Sequence, residues 1–284
     1  MTLVPPDRAE IVDPPVRARA TVERAAAALA ERGVPSARVD AEWIVAHVLS
    51  VSRSSLVSGC HKVDEGAVWP LVERRARREP LAYVLGEWDF RRLTLKCDAR
   101  ALVPRPETES LVERCLALVR GRERPRVLDV GTGTGAIALA LADEAGADVV
   151  ATDASRGALA LATENAALLR LDVAFVRADL RNGLPKGFDL VVSNPPYVLA
   201  DEWEELEPEV REWEPRDALV DEGQTEALAE AARDVLVPGG HIALEVHERR
   251  AAEVRRFLEA LGYSAATVAR DLAGRDRVVD ATWR

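Results

Sequence analysis

The stretch from Arg126 to Ala142 constrains the fold of this chain more than any other feature of the sequence. An apolar strand pattern, VLDV, runs directly into GTGTG, and the helical pattern AIALALA follows without a break. Glycines permit a tight turn between a strand and a helix, and they let a ligand approach the backbone at the helix N-terminus. Asp153 ends the next predicted strand, where its carboxylate can accept hydrogen bonds from ribose hydroxyls. The pattern predicts a site for a cofactor that contains adenosine.

Strand and helix patterns alternate from Glu107 to the end of the chain. The strand candidates are RVLDVG, DVVATD, VAFVRADL, FDLVVSNPP and HIALEV, and RDRVVDATWR is a last strand for which an antiparallel direction is one option. Helical patterns lie between them at Ile137–Glu144, Arg156–Leu169 and Thr225–Leu236. Alternation of this kind predicts an α/β fold, in which a parallel, Rossmann-like sheet carries helices on both faces.

The first third of the chain has a different pattern. Small apolar and charged residues alternate with helical period from about residue 16 to residue 80, which predicts a small helical bundle without strands. Short β-prone pieces follow between Leu81 and Leu102, and they predict a hairpin. The sequence therefore predicts a helical domain in residues 1–80, a β-hairpin linker in residues 81–103 and a catalytic domain in residues 104–284.

Composition excludes several classes of protein. The formal net charge is -10, which argues against general attraction to nucleic-acid phosphates. No apolar run reaches the length of a membrane span, and the N-terminus has no signal-peptide pattern. The three cysteines, Cys60, Cys97 and Cys115, share no metal-binding spacing. We expect a cytoplasmic monomer that binds no metal and no membrane.

Two charge clusters interrupt this balance, one basic and one acidic. Each fits either a solvated helix face or a polarised surface that orients a partner. The basic cluster consists of Arg74, Arg75, Arg77 and Arg78, with Arg91 and Arg92 further on, and the acidic one lies between Asp201 and Glu222.

The glycine turn alone does not separate NAD from S-adenosylmethionine, because both cofactors carry an adenosine. The residues assigned to the cofactor are Gly131, Thr132, Gly133, Thr134, Gly135 and Asp153. Asp179, at the end of the third strand candidate, can meet the adenine amino group, and Leu180 can pack on the ring; an ordinary helix-capping acid is an equally good interpretation of Asp179.

The motif Asn194-Pro195-Pro196-Tyr197 decides between the two cofactors. It follows the fourth strand, at the sheet edge where ligands bind in open α/β folds. An amide or aromatic amino nitrogen is a poor nucleophile, because its lone pair is delocalised. Asn194 Oδ1 and the Pro195 carbonyl can accept both of its hydrogens, and Tyr197 can stack on the planar group. A dehydrogenase has no use for such a device, so the sequence predicts an S-adenosylmethionine-dependent methyltransferase that leaves S-adenosylhomocysteine as product.

These motifs resemble the protein glutamine N5-methyltransferases of the HemK or PrmC type. The resemblance covers most of the chain, and its most specific parts are LVPRPETE (Leu102–Glu109) and NPPY. It implies a helical N-terminal domain that docks the protein substrate and a seven-stranded class I methyltransferase domain. It also implies methylation of the glutamine in a Gly-Gly-Gln loop of a peptide-chain release factor. Asn194 would lie next to the cofactor as well as the amide, and the resemblance implies that Arg105 and Glu107 belong to the approach to the pocket.

Two segments depart from the family pattern. The run after the fifth strand is Glu245-Val246-His247-Glu248-Arg249-Arg250 and lacks the usual glycine and glutamine, and the segment after EPR-x-AL is Val220–Thr225. We expect His247 to narrow or reshape the pocket, because it replaces a residue that lets the backbone bend.

The departures leave alternative functions open. One is a family member retuned to another amide or amine, such as a ribosomal protein glutamine or a small molecule. Another is N6-adenine methylation of nucleic acid, which needs nearly the same pocket but is disfavoured by the net charge and the short arginine cluster. A third is a non-catalytic binding module, for which degraded motifs would be required, and both the glycine turn and Asn194 are intact.

Overall fold

The computed structural model describes residues 16–58, 61–178 and 186–284. The chain forms two compact units, Met1–Leu85 and Gly86–Arg284. Within the described ranges, none of the helices combines the length and the apolarity that a membrane crossing requires. Asp179 and Leu180, two of the residues predicted to bind the cofactor, lie outside the described residues.

The first unit is helical, as its sequence period predicts. Its elements are β1 (Val16–Arg17), α1 (Ala18–Glu31), α2 (Ala37–Leu49), α3 (Arg53–Ser58), β2 (Lys62–Val63), α4 (Glu65–Ala76) and α5 (Leu81–Leu85). The prediction of a bundle without strands is wrong in one detail, because β1 and β2 pair antiparallel over two residues each. A pair this short has no periodicity that a sequence pattern could display.

The basic cluster of the first unit is largely engaged in internal contacts. Arg75 is buried and donates through Nε to Asp40 Oδ2 at 2.7 Å. Arg74 donates to Glu79 and to the carbonyls of Tyr83 and Val84. A buried charge of this kind is tolerated only when it is paired and hydrogen-bonded. Arg74 and Arg75 therefore tie helices together, whereas Arg77 of the same cluster is exposed.

The segment predicted to begin the hairpin is helical instead. Residues Leu81–Leu85 form α5, in which Tyr83 N and Val84 N both donate to the Pro80 carbonyl. Four of these five residues are buried, and the β-prone composition that misled the prediction reflects this burial. The hairpin itself starts two residues later, with β3 (Glu87–Phe90) paired to β4 (Leu93–Lys96), and it belongs to the second unit.

The second unit is built on a seven-stranded sheet. Its remaining helices are α6 (Pro106–Leu118), α7 (Ala136–Ala145), α8 (Arg156–Leu169), α9 (Pro208–Trp213), α10 (Gln224–Val235) and α11 (Ala251–Ala260). Its sheet strands are β5 (Arg126–Val130), β6 (Asp148–Asp153), β7 (Ala174–Arg177), β8 (Phe188–Ser193), β9 (Leu236–Glu245), β10 (Ser264–Arg270) and β11 (Asp276–Thr282). The order is β10-β11-β9-β8-β5-β6-β7, in which β5 to β9 run parallel and β11 is antiparallel to both neighbours. The predicted α/β fold with a last antiparallel strand is confirmed.

Strand β10 is the one strand of the sheet that the sequence interpretation missed. It lies at the edge of the sheet and pairs only with β11 among the described strands, and its register there shifts twice. None of its seven residues is buried. An exposed edge strand lacks the continuous apolar run that marks the central strands, so its sequence is hard to separate from a loop.

The central strands are buried on both faces, which explains their near-continuous apolar sequences. One face packs against α6, α7 and the hairpin, and it contains Val127, Val149 and Leu190. The opposite face packs against α10 and α11, and it contains Leu128 and Ile242. Because helices cover both faces of the sheet, a ligand can reach the sheet at the ends of its strands.

One buried side chain links the hairpin to the glycine turn. Asn165 of α8 is fully buried, and its Oδ1 accepts from Lys96 N at 2.7 Å. Its Nδ2 donates to the Lys96 carbonyl at 3.1 Å and to the Thr134 carbonyl at 2.9 Å. The amide of Asn165 thus satisfies backbone groups of β4 and of the turn before α7 with a single side chain.

Candidate active site

The glycine turn is held in place by the neighbouring strand β6. Gly131 N and Thr132 N both donate to the Thr152 carbonyl at 2.9 Å. Gly131 and Gly133 adopt φ of +74° and +56°, a region that costs other residues free energy. A Cβ at Gly131 would stand in open space, so the turn leaves room for a ligand against its backbone.

Gly135 lies where two helices pack closely together. It does not line the cavity, whereas Gly131, Thr132, Gly133 and Thr134 do. A Cβ at Gly135 would lie 3.1 Å from Leu139 Cδ1 and 3.2 Å from Ala162 Cβ, and its φ is +86°. Gly135 is therefore required for the close packing of α7 and α8, and its assignment to the cofactor stays a proposal.

Asp153 occupies the end of β6, as the pattern predicts. Its Oδ2 accepts from Gly133 N at 3.0 Å, and its Oδ1 accepts from Ser155 N at 2.8 Å. Each carboxylate oxygen has two lone pairs, so capacity remains for the two ribose hydroxyls of an adenosine. The backbone bonds fix the direction of the carboxylate toward the cavity that it lines.

The cavity extends from the glycine turn to the NPPY motif along the carboxyl edge of the sheet. Its volume is about 930 Å³, which lies at the upper end of the range for cofactor pockets. Asp153 and Ala178 line one end, and Asn194 to Tyr197 line the other. Predominantly apolar walls with an acid at one end and carbonyl acceptors at the other suit an adenosine with a sulfonium tail.

The NPPY motif is anchored on both sides. Before it, Ser193 Oγ donates to the Val130 carbonyl at 2.6 Å, which joins the ends of β8 and β5. After it, Val198 N donates to the Leu219 carbonyl at 2.8 Å. Asn194 Nδ2 donates to Thr108 Oγ1 at 3.2 Å. The amide of Asn194 is thereby oriented with its nitrogen engaged by the protein.

Tyr197 is largely withdrawn from solvent, and burial raises the pKa of its phenol well above the usual range. The guanidinium of Arg277 lies 5.8 Å from the centre of the Tyr197 ring, within the distance of a cation–π contact. Arg277 was not identified from the sequence. Nothing in the DLAGRDR pattern reveals that its second arginine lies over a ring 80 residues earlier in the chain.

Two charged residues of LVPRPETE obtain partners that no sequence pattern indicated. Arg105 forms an ion pair with Glu214, a buried acid of the EWEPRDAL segment. Glu107 accepts from Arg275 at 2.9 Å. Burial raises the pKa of Glu214 and the contact with Arg105 offsets part of that effect. Arg105 also lines the cavity, so its pairing with Glu214 holds a residue of the cavity wall in place.

His247 does not narrow the pocket, and the prediction that it does is wrong. It does not line the cavity; its Nδ1 accepts from Arg249 N at 3.2 Å at the start of a short 3-10 helix, Glu248–Arg250. Arg250 pairs with Asp221 and Glu226. The two segments that depart from the family pattern therefore contact each other. Arg250, which follows β9, finds its acidic partners in and beside the segment that contains Asp221.

The described residues contain no group of three or more His, Cys, Asp or Glu side chains that could hold a metal ion. Cys97 and Cys115 are buried free thiols. Burial raises the pKa of Cys97 to about 12, and it raises the pKa of Cys115 further. Neither thiol has the lowered pKa of a nucleophilic cysteine.

Asp153→Ala is expected to weaken S-adenosylmethionine binding by about 10- to 100-fold, the cost of losing hydrogen bonds to a charged group. Titration calorimetry would measure the affinity. Asp148→Ala is the matched control, because Asp148 is an exposed residue at the other end of the same strand. Equal affinities for the two variants would contradict the placement of the ribose at Asp153.

Two buried acids predict a pH dependence of stability. Burial raises the pKa of Asp129 to about 7, against a hydrogen bond from Thr132, and it raises the pKa of Glu245 to about 7. The pKa of Glu245 is lowered by its neighbours Thr108, Arg277 and Tyr197, and it is raised by Glu107.

A carboxyl whose pKa is raised in the folded state binds a proton there that the unfolded state has released. The stabilisation from Glu245 is complete below its unfolded pKa of 4.5 and is lost as the pH rises to about 7. Urea unfolding would measure the free energy of unfolding of the wild type and of Glu245→Gln. As the pH rises over that interval, we expect the wild type to lose stability relative to the variant. A difference that stays constant with pH would contradict the burial of an ionisable Glu245.

The sheet order, the glycine turn and the cavity at the carboxyl edge define a class I methyltransferase, whose methyl donor is S-adenosylmethionine. Residues 108–206 match the Methyltransferase small domain family, and residues 20–86 match the PrmC N-terminal domain family. The chain belongs to the release factor glutamine methyltransferase family, as the following relatives show.

A release factor glutamine methyltransferase of Deinococcus radiodurans is 45% identical over 273 residues, which cover 93% of this chain and 97% of the relative. One from Fusobacterium nucleatum is 36% identical and covers 88% of this chain and 75% of the relative. A methyltransferase of Pyrococcus furiosus has a TM-score of 0.51 and 20% identity over 67% of this chain and 88% of that one. A T. thermophilus 16S rRNA methyltransferase in complex with AdoMet and guanosine has the same TM-score and identity over 68% of this chain and 47% of that one. These two structures support the fold alone.

Proposed function

We propose that this protein transfers a methyl group from S-adenosylmethionine to the side-chain amide nitrogen of a glutamine in a peptide-chain release factor. The observation that carries the proposal is the orientation of Asn194 at the mouth of the cofactor cavity. Its Nδ2 is engaged by Thr108, so Oδ1 is the group left to accept a hydrogen bond. Relatives named for this activity, at up to 45% identity, support the choice of substrate.

The glutamine amide is held by two acceptors in this proposal. Asn194 Oδ1 and the Pro195 carbonyl accept hydrogen bonds from its two N–H groups. These two bonds direct the nitrogen lone pair toward the cofactor. Pro195 and Pro196 have no N–H of their own, so no backbone donor competes within the loop. Fixed carbonyl dipoles then stabilise the positive charge that develops on the nitrogen during transfer. Tyr197 covers the planar amide and excludes water from it.

When bound, S-adenosylmethionine would supply an electrophilic methyl group. Its sulfur–methyl bond would break as the nitrogen–methyl bond forms, S-adenosylhomocysteine would be released, and the nitrogen would lose one proton. We assign its ribose to Asp153 and its backbone contacts to the turn from Gly131 to Thr134. The earlier assignment of Asp179 and Leu180 to the adenine stays a proposal, because both lie outside the described residues. Ile137 and Ala158 contribute apolar wall beside this part of the cavity.

The release factor is the partner in this proposal, and the helical unit is proposed to dock it. The net charge of -10 argues against nucleic acid as substrate. We further propose that the enzyme acts as a cytoplasmic monomer, with one release factor bound for each catalytic domain.

Purified protein, S-adenosylmethionine and a release factor provide the direct test, with intact mass as readout. We expect one methyl group on the wild-type release factor and none on a variant whose Gly-Gly-Gln glutamine is replaced by alanine. Total RNA and adenine-containing DNA serve as competing substrates. Methylation of either nucleic acid, or of the alanine variant, would overturn the proposed substrate.

A further inference from the structure

A column of polar groups runs behind the NPPY motif from the cavity wall, where Thr108 and Tyr197 lie, into the protein interior. It consists of Thr108 in the first turn of α6, Glu245 at the end of β9, and Tyr197 and Arg277 beside them. Strands β8 and β9 pair in parallel, and Ser193 lies opposite Leu244. The next residues along the two strands, Asn194 and Glu245, are therefore neighbours. The column therefore supports the motif from the protein interior.

Thr108 connects this column to Asn194. Its Oγ1 accepts the Asn194 Nδ2–H at 3.2 Å, and the side chain is only 5% exposed. A hydroxyl that accepts one bond still has its own proton to donate. Among the described residues, no other side-chain hydrogen bond of Thr108 competes for that proton. Because the residue is nearly buried, we expect that proton to point to a neighbouring protein acceptor.

Glu245 is the acceptor next to that hydroxyl. The residue is fully buried, and neither carboxyl oxygen is in a hydrogen bond of normal geometry within the described part of the chain. The strand register places Glu245 next to the position of Asn194, whose side-chain amide contacts the Thr108 hydroxyl. In agreement with this placement, the hydroxyls of Thr108 and Tyr197 lower the pKa of Glu245. A donor with an unused proton and an acceptor with unused lone pairs thus lie in the same buried cluster.

We propose that Glu245 and Thr108 are positioning residues that set the orientation of the Asn194 amide. Glu245 accepts a hydrogen bond from the Thr108 hydroxyl, so Thr108 Oγ1 turns a lone pair toward Asn194 Nδ2. The amide is then held with its nitrogen toward the interior and Oδ1 toward the substrate. With the amide rotated by half a turn, Nδ2 would meet the N–H groups of the substrate, and two donors would oppose each other. The inference rests on the proposed function, because it assumes an acceptor that carries N–H groups.

Thr108→Val tests the inference, because it keeps the shape of the side chain and removes the hydroxyl. We expect kcat for release factor methylation to fall about 10-fold, the effect of one hydrogen bond at a buried site, with unchanged affinity for S-adenosylmethionine. Thr108→Ser keeps the hydroxyl and should restore most of the rate. Thr163→Val, the same change on the exposed face of α8, is the matched control and should leave kcat unchanged.

Glu245 is tested with two variants. Glu245→Gln can still accept through Oε1 and should lose less activity than Glu245→Leu, which cannot accept at all. Thermal unfolding separates loss of fold from loss of rate. Equal rates for Glu245→Leu and the wild type would overturn the role of Glu245.

A double-mutant cycle separates positioning from a general structural effect. If Thr108 acts through Asn194, Thr108→Val should cost nothing further in an Asn194→Ala background, measured by single-turnover methylation. A full 10-fold loss in that background would overturn the inference while leaving the proposed function in place. A wild-type protein that methylates no release factor would overturn the proposed function, and the inference would fall with it.

Discussion

Asn194→Ala is expected to lower kcat for methyl transfer by about 10²- to 10³-fold, the range found when one preorganised polar group is removed from a reacting centre. Cofactor affinity should change little, because the ribose acceptor and the glycine turn lie at the other end of the cavity. Single-turnover kinetics and calorimetry would measure the two quantities separately.

Asn194→Asp is the informative companion to this variant. It keeps oxygen acceptors for the substrate amide but has no N–H to donate to Thr108. We expect its rate to lie between those of the wild type and Asn194→Ala. An alanine variant that keeps more than about a tenth of the wild-type rate would contradict the role of Asn194 as the principal acceptor.

Gly135→Ala is expected to destabilise the catalytic domain by about 2–4 kcal/mol, through a positive φ and through overpacking of the core. The new Cβ would lie within 3.2 Å of atoms in both α7 and α8. Because Gly135 is not in the cavity wall, cofactor binding should be lost only as far as the fold is lost.

Gly146→Ala is the matched control for this prediction. Gly146 also has a positive φ, of +58°, but a Cβ there meets nothing within 4 Å. Gly146→Ala should lower the free energy of unfolding only by the cost of a positive φ at alanine, about 1 kcal/mol. Thermal and urea unfolding would give both values, and equal destabilisation by the two variants would show that the contacts with Leu139 and Ala162 carry no cost.

The parts of the site that could be predicted from sequence are those whose chemistry is local. The glycine turn, Asp153 and the NPPY motif each follow directly on a strand, and parallel strands bring their carboxyl ends to one edge of the sheet. Residues 131–134 and 194–197 therefore meet around one cavity as expected. The packing role of Gly135 could not be predicted, because one glycine-rich pattern serves both ligand approach and helix packing.

The groups that were missed depend on distant partners. Arg105 and Glu214 are 109 residues apart, and nothing in either segment names the other. Glu245 reads as the polar end of a strand, and its burial becomes visible only when α6 and the NPPY loop close over it. His247 was misjudged for a related reason, since its consequences depend on where the backbone turns after β9.

The amide of Asn165 has a consequence for how this protein can be divided. It holds backbone groups of the hairpin and of the glycine turn at the same time, so the hairpin is a structural part of the catalytic core. A fragment cut at Pro104, just ahead of α6, would remove two of the three hydrogen bonds of the amide and uncover one face of the core. The smallest exchangeable module for a chimaeric enzyme thus starts at Gly86, and a helical domain taken from another protein should be joined there.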